Sequence, residues 1–288
     1  MPLDQEPIEE KEMSFLDHLE ELRWHVVRSI VAIVIFMIAA FVNIEWIFTN
    51  ILFAPGRVDF PTFRWLCKLG EWVGSKEAFC VDEIPFKIQS RLMTGQFTMS
   101  ITASFVIGLV VAFPYVAWEV WRFIKPGLYN KERKSSRGAV ASVSFLFLTG
   151  VLFGYYIMSP LMISFLANYT ISDMIVNEFD ITSYIGTIVT VVFGCGLLFQ
   201  LPVVMYFLTK VGIVTPQFLR QYRKHAVVII LILGAIVTPS ADPLSQALIS
   251  LPLYLLYEIS ILISAGVVRK KLREEAEEKL KEEQQSAT

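Results

Sequence analysis

The chain has 288 residues, 55% of them hydrophobic and only 18% charged, with a mean hydropathy of +0.56. A soluble domain is nearer ~25% charged and ~45–50% apolar, so this composition excludes an ordinary water-soluble globule and points to a polytopic, all-α membrane protein. The net charge of −2 excludes little, because in a membrane protein the sign of each loop matters more than the sum.

Residues 1–13 are acidic and polar and read as a tail rather than a secretory leader. The stretch SFLDHLEELRWHVV follows at 14–27. Ser14 with Asp17 fits a capping box, and Leu16, Leu19, Leu22 and Val26 recur at helical spacing. An amphipathic helix lying at the membrane surface and running into the first span is expected. It offers Asp17, Glu20 and Glu21 to an interface whose anionic headgroups repel acids. A solvated face, paired locally to Arg23 and His25, is the plainer alternative.

Six spans are expected, near 26–48, 96–120, 139–168, 181–209, 225–239 and 243–268. They make 14–268 one transmembrane domain, with an extended loop at 49–95 and a charged helical or frayed tail at 269–288. The fourth span carries Pro202, which predicts a kink. The fifth has about fifteen residues, or roughly 22 Å at 1.5 Å per residue, where hydrocarbon needs roughly 30 Å. Such a helix thins the bilayer or is shielded by its neighbours.

Loop charges orient the chain. Six Lys/Arg lie between spans two and three, and Lys210, Arg220, Arg223 and Lys224 lie between spans four and five. Arg269, Lys270, Lys271 and Arg273 follow span six. The loops at 169–180 and 240–242 hold Asp173, Glu178, Asp180 and Asp242 and no base. The positive-inside rule then puts both termini in the cytoplasm. The long loop at 49–95, with six bases and five acids, votes weakly. It is rich in aromatics, and FRWLCKLGEWV within it reads as a helix on the outer surface. Cys67 and Cys80 share that loop. They pair if it faces an oxidising compartment, closing a loop worth roughly 3 kcal/mol, or they remain two free thiols. Cys195, in an apolar run, reads as a small buried hydrophobe.

RFIKPGLYNKERKSSR, residues 122–137, surrounds a single acid, Glu132, with six bases. Pro126 fixes its own φ and Gly127 permits positive φ, while Phe123, Leu128 and Tyr129 add apolar surface. Together with Glu21 at the base of span one, Glu132 makes a second fixed carboxylate near the membrane surface. Two such acids suit a ligand bearing two guanidiniums, whose paired charge-assisted bonds Lys does not reproduce. Glu119, near the inner end of span two, is expected to snorkel or to pair with Arg122 or Arg23, adding negative charge to that surface. Glu258 falls well inside span six and is expected to face a polar partner in the bundle.

The motifs HLEELR (18–23), FAP (53–55), FPYVAWEVWRFIKPGLYNKERK (113–134), FGYYIMSPL (153–161), FGCGLLFQLPVV (193–204), GIVTPQFLRQYRKHAVV (212–228), TPSADPLSQ (238–246) and PLYLLYEISI (252–261) resemble the TatC family. The resemblance runs over about 14–270. It implies six helices, N-in and C-in, in a concave, glove-like arrangement whose fifth and sixth helices are short. It implies a core receptor of the twin-arginine translocase in the bacterial inner membrane, with no covalent chemistry, no cofactor and no metal. Twin-arginine signal peptides of folded substrates, TatA- and TatB-type single-span partners, further copies of the chain and lipid are the implied contacts, with the proton motive force as driver; nucleic acid is not among them. By motif, Glu21, Arg23, Glu119, Phe123, Pro126, Leu128, Tyr129 and Glu132 resemble the signal-peptide site. Phe199, Gln200 and Glu258 are the intramembrane docking and polar positions, and Pro55 and Asp242 are structural positions on the outer side. Gln200 departs from the Glu found at this place in many members. An amide hydrogen-bonds but does not titrate, so docking is a better reading than proton relay, and a Gln satisfied inside its own bundle is the simpler one.

Two other classes fit less well. A small-solute transporter or proton channel would use Gln200, Glu258 and Asp242, but the sequence has no inverted repeats. An intramembrane hydrolase would need a Ser/His/Asp, HExxH or paired-aspartate pattern in the spans, and none is present.

Overall fold

The computed structural model describes residues 15–74, 80, 83–124, 138–172, 174–238 and 243–286. Helix α1, Phe15–Val42, is unbroken, so the expected surface helix and the first span are one element. Asn43 interrupts it, its side-chain amide donating back to the Ala39 carbonyl at 2.9 Å. A short helix α2, Ile44–Ile47, a π-helical turn at Phe48–Leu52 and a 3₁₀ turn at Ala54–Gly56 complete the segment.

The first span packs along α4, Gly95–Ile124. The approach is close because Gly108 has no side chain: a Cβ there would lie 2.6 Å from the Met37 nitrogen and 2.9 Å from its Cα. Small residues that let backbones touch are the usual means of joining helices in lipid, where apolar surface alone gives no drive.

The third span is α5, Ala139–Phe153, a π-helical turn at Gly154–Met158, and α6, Ser159–Asn168. Pro160 has no N–H to give the Tyr156 carbonyl, and the Thr62 hydroxyl supplies that donor. Thr62 belongs to α3, Pro61–Val73, which is the helix expected within the long loop. The fourth span divides into α7, Ile181–Leu198, and α8, Leu201–Val211. The kink expected from Pro202 is therefore a break at Phe199–Gln200, with the proline in the first turn of α8 where its missing donor costs least. Gly212 closes α8 at φ 86°, a left-handed conformation that glycine adopts freely.

Thr215 caps the short α9, Pro216–Gln221, by accepting from the Phe218 N–H at 3.2 Å. Then come α10, Arg223–Val237, and α11, Pro243–Ser286. The fifth helix is short, as expected, at 15 residues. The sixth is not: α11 runs for 44 residues, carrying the span straight into the charged tail. That tail is dense in Glu, Lys and Arg, which are strong helix formers, so nothing stops the helix where the apolar run ends. Among the described residues, five helical stretches are long and apolar enough to cross a membrane: Glu20–Val42, Gly95–Ile124, Ala139–Asn168, Ile181–Val211 and Gln246–Glu277. Helix α10 is the apolar helix between the last two and falls short of that length.

Two cores hold the bundle. One gathers Ala40, Leu52, Ala103, Ile163 and Ile185; the other gathers Met158, Val191, Ile230, Ile249 and Leu253, with Cys195 buried among them. Outside, Val31, Ile35 and Ile38 on α1 and Leu251, Leu255 and Leu262 on α11 are half or more exposed. An apolar exterior around satisfied helices is how a membrane protein meets its solvent.

Two features of the loops were absent from the sequence reading or left open by it. Residues Lys87–Gln89 (β1) and Glu178–Asp180 (β2) form a parallel two-stranded sheet, with Ile88 opposite Phe179. Cys67 and Cys80 are joined by a disulfide, Cα atoms 4.4 Å apart.

Candidate functional site

Helical spacing builds the site. Glu21 and His25 lie one turn apart on α1, and Tyr115 and Glu119 one turn apart on α4, so each pair shares a face. The close α1–α4 crossing brings the faces together. The Tyr115 hydroxyl donates to Glu119 Oε1 at 2.9 Å, and His25 Nδ1 bonds Glu119 Oε2. The other ring nitrogen, His25 Nε2, stands 3.9 Å from Glu21 Oε1. Phe123, one turn beyond Glu119, meets the His25 ring edge to face at 6.2 Å. Glu119 and His25 are buried at 1% and 6% exposure, whereas the Glu21 side chain is 39% exposed.

This corrects the expectation for Glu119. Its carboxylate lies inside the helix pair and is not part of an exposed negative surface. A carboxylate in apolar surroundings is tolerable only when donors fill its oxygens, and His25 and Tyr115 do so. The two arginines expected as partners turn elsewhere: the Arg23 guanidinium lies 5.8 Å from the Trp24 ring, and that of Arg122 lies 5.4 Å from Trp118. Of the remaining residues expected at this site, Pro126, Leu128, Tyr129 and Glu132 lie outside the described residues, as does Asp242. Tyr115 is the member that sequence reasoning missed, and His25 was named only as a local partner of the acids on its own helix. The available signal was the i,i+4 spacing of Tyr115 before Glu119 and of Glu21 before His25.

A second feature is an apolar cavity of about 610 Å³, lined by Trp121, Phe145, Phe199, Tyr206, Phe207 and Lys210 among others. Gln200 sits at the break beside it and donates its amide to the Val143 carbonyl at 3.2 Å. Its hydrogen bond is thus to its own bundle, because the break in the fourth span turns the side chain toward α5. Phe199 packs on Phe153, rings 5.3 Å apart. Glu258 has the polar partner expected for it: Arg223 donates to Oε2 at 2.9 Å, and the Tyr254 hydroxyl to Oε1 at 3.1 Å, tying the start of α10 to α11.

At the opposite end of α1 and α4, Asp180 caps α7. It accepts from the Thr182 N–H at 2.8 Å, from the Thr182 hydroxyl, and from the Arg91 N–H at 2.9 Å. The bond from the Thr182 hydroxyl, then those two backbone donors, hold its carboxyl below the ordinary value. Gln89 donates to Glu178 at 2.8 Å, so β1 and β2 are joined by side chains as well as backbone. Pro55 is buried in the 3₁₀ turn, which follows Phe53, whose ring lies 5.9 Å from that of Tyr184.

The bundle and its apolar exterior define a multi-pass α-helical membrane protein, with the buried Tyr115–Glu119–His25 cluster joining α1 to α4. The family model of the Sec-independent protein translocase protein TatC matches residues 17–252. TatC of Blattabacterium sp. subsp. Periplaneta americana is 42% identical over 264 residues, spanning 91% of this chain and 99% of its own. TatC of Deinococcus radiodurans is 34% identical, over 86% of this chain and 84% of its own. A crystal structure of the twin-arginine translocase receptor TatC superposes with a TM-score of 0.67 at 29% identity, covering 87% of this chain and 99% of the other. The chain belongs to the TatC family, and it is a Sec-independent protein translocase subunit, a component of transport rather than an enzyme.

Proposed function

We propose that the chain is the receptor that reads the twin-arginine leader of folded export substrates. The observation that carries this is Glu21: a partly exposed carboxylate at the start of a span, 3.9 Å from His25, which is itself bonded to the buried Glu119. A guanidinium pair from the leader binds Glu21 and Glu132, framed by Phe123, Pro126, Leu128 and Tyr129, with Arg23 at the rim. The leader's apolar stretch then occupies the 610 Å³ cavity beside Phe199 and Gln200, where a span of a TatA- or TatB-type partner also docks. Both termini face the cytoplasm of a bacterial inner membrane, a reading that the basic loops support. The disulfide-bonded loop and the Asp180, Pro55 and Asp242 region then face the oxidising side, where Pro55 and Asp242 serve assembly. The electrical part of the proton gradient, roughly 2.3 kcal/mol per charge per 100 mV, supplies the work. A solute channel would need Glu258 free to line a path, and its salt bridge to Arg223 counts against that.

The test is export of a folded reporter carrying a twin-arginine leader. Glu21→Gln and Glu132→Gln each cut export by about tenfold or more, as loss of a charge-assisted pair implies, while membrane insertion of the receptor is unchanged. Undiminished export in both variants would remove the proposal.

A further inference from the structure

His25 is a buried imidazole that the reading above does not use. Resting on that reading, we propose that His25, held in place by Glu119, is a positioning residue that sets how tightly Glu21 grips a guanidinium, so that leader affinity follows the protonation of His25.

The geometry assigns each nitrogen a task. Nδ1 is engaged with Glu119, whose other oxygen is filled by Tyr115, so the ring does not turn freely. Phe123 closes a further side of the ring. That leaves Nε2 facing Glu21 at 3.9 Å. The distance is longer than a hydrogen bond, so the two groups stand beside each other without being locked together. Which role Nε2 plays depends on one proton.

A neutral ring bonded to Glu119 through Nδ1–H presents the Nε2 lone pair next to the Glu21 carboxylate. A guanidinium carries five N–H donors in a planar fork, more than one carboxylate accepts, and Nε2 becomes a further acceptor for the same fork. A protonated ring presents an N–H donor and a positive charge. It then engages Glu21 itself and repels the incoming cation. The same atom therefore helps binding in one state and competes with it in the other.

Among the described residues, the charged and titratable groups around this ring come from both packed helices. Glu21 of α1 and Glu119 of α4 contact the ring itself, while Arg28 acts on Glu119 and Tyr115, and Arg122 acts on Tyr115. Of these, Glu119 is buried and doubly bonded, and Tyr115 donates to it. Glu21 is the exposed acid that Nε2 reaches.

The experiment measures binding of a fluorescent twin-arginine leader peptide to the full chain in lipid nanodiscs, from about pH 6 to about pH 8. The wild type gains about fivefold or more in affinity as pH rises over that range. His25→Gln, which keeps a hydrogen-bonding side chain and cannot titrate there, binds the leader with no pH slope. Glu119→Gln displaces the profile along the pH axis while the melting temperature of the purified protein stays near that of the wild type. A pH slope in His25→Gln equal to that of the wild type overturns the inference, and so does an undisplaced profile in a folded Glu119→Gln. Glu21→Gln separates the two levels. If it weakens binding but His25→Gln keeps the slope, the receptor reading stands and the His25 inference falls. If it leaves binding unchanged at every pH, the receptor reading itself has failed.

Discussion

Asp180 shows at the scale of one residue what holds the far end of the bundle. Its carboxylate caps α7 and catches the backbone N–H of Arg91, so it joins a helix start to the segment that follows β1. Its folded pKa is lowered, so its contribution to stability is present above the unfolded value, near about 4, and is lost as pH falls through the folded value. Acidification should therefore lower the melting temperature of the wild type more than that of Asp180→Asn, which caps without a titratable charge; equal losses would deny Asp180 that role. The residue scale was only partly legible in the sequence. Glu258 was read as an acid that needs a polar partner, and Arg223 and Tyr254 provide it. Glu119 was put on the surface, because a sequence shows that an acid stands near a helix end but not which face another helix covers. The pairing of His25 with Glu119 escaped for the same reason: the two stand 94 residues apart.

At the scale of elements, the α1–α4 contact positions the site. It depends on Gly108, where any side chain meets the α1 backbone. Gly108→Ala should push the helices apart and destabilise the protein by about 1–3 kcal/mol, the usual cost of overpacking. It should also weaken leader binding, although residue 108 lies well along the helix from Glu21. A melting curve and a binding isotherm on the same sample check both, and an unperturbed variant would show that the crossing is not tight. Spans, the amphipathic α3 and the proline break in the fourth span were readable because each follows from local periodicity or from the chemistry of proline. The β1–β2 sheet was not, since two three-residue strands carry no periodicity to detect and Lys87 pairs with Glu178, far along the chain. The short sixth helix was an expectation carried over from the resemblance, whereas the charged tail, read as helical or frayed, continues the helix. In a tail rich in helix formers, the solvent changes and the backbone does not.

For the whole molecule, the short α10 matters most. At 15 residues it spans about 22 Å where hydrocarbon is roughly 30 Å thick, so the bilayer beside it thins or its ends are shielded by α11 and α7. Insertion of four Leu within α10 restores a full span. Export of a folded reporter should fall sharply while leader binding persists, and unaltered export would argue against thinning as part of the path. The overall architecture was the most legible level, because hydropathy reports the solvent of each helix directly. The way those helices lean together to form a cavity was not, since it depends on contacts between distant small residues such as Gly150 against Cys195 and Phe199.

The most direct measurement is equilibrium binding of a twin-arginine leader and its twin-lysine counterpart to the reconstituted chain, with Glu21 and Glu132 intact and with both changed to Gln. The proposed pair of carboxylates predicts tight binding of the arginine leader, clearly weaker binding of the lysine leader, and loss of that preference in the double variant. Equal affinity for both leaders, or a preference that survives when both acids are neutral, would contradict it.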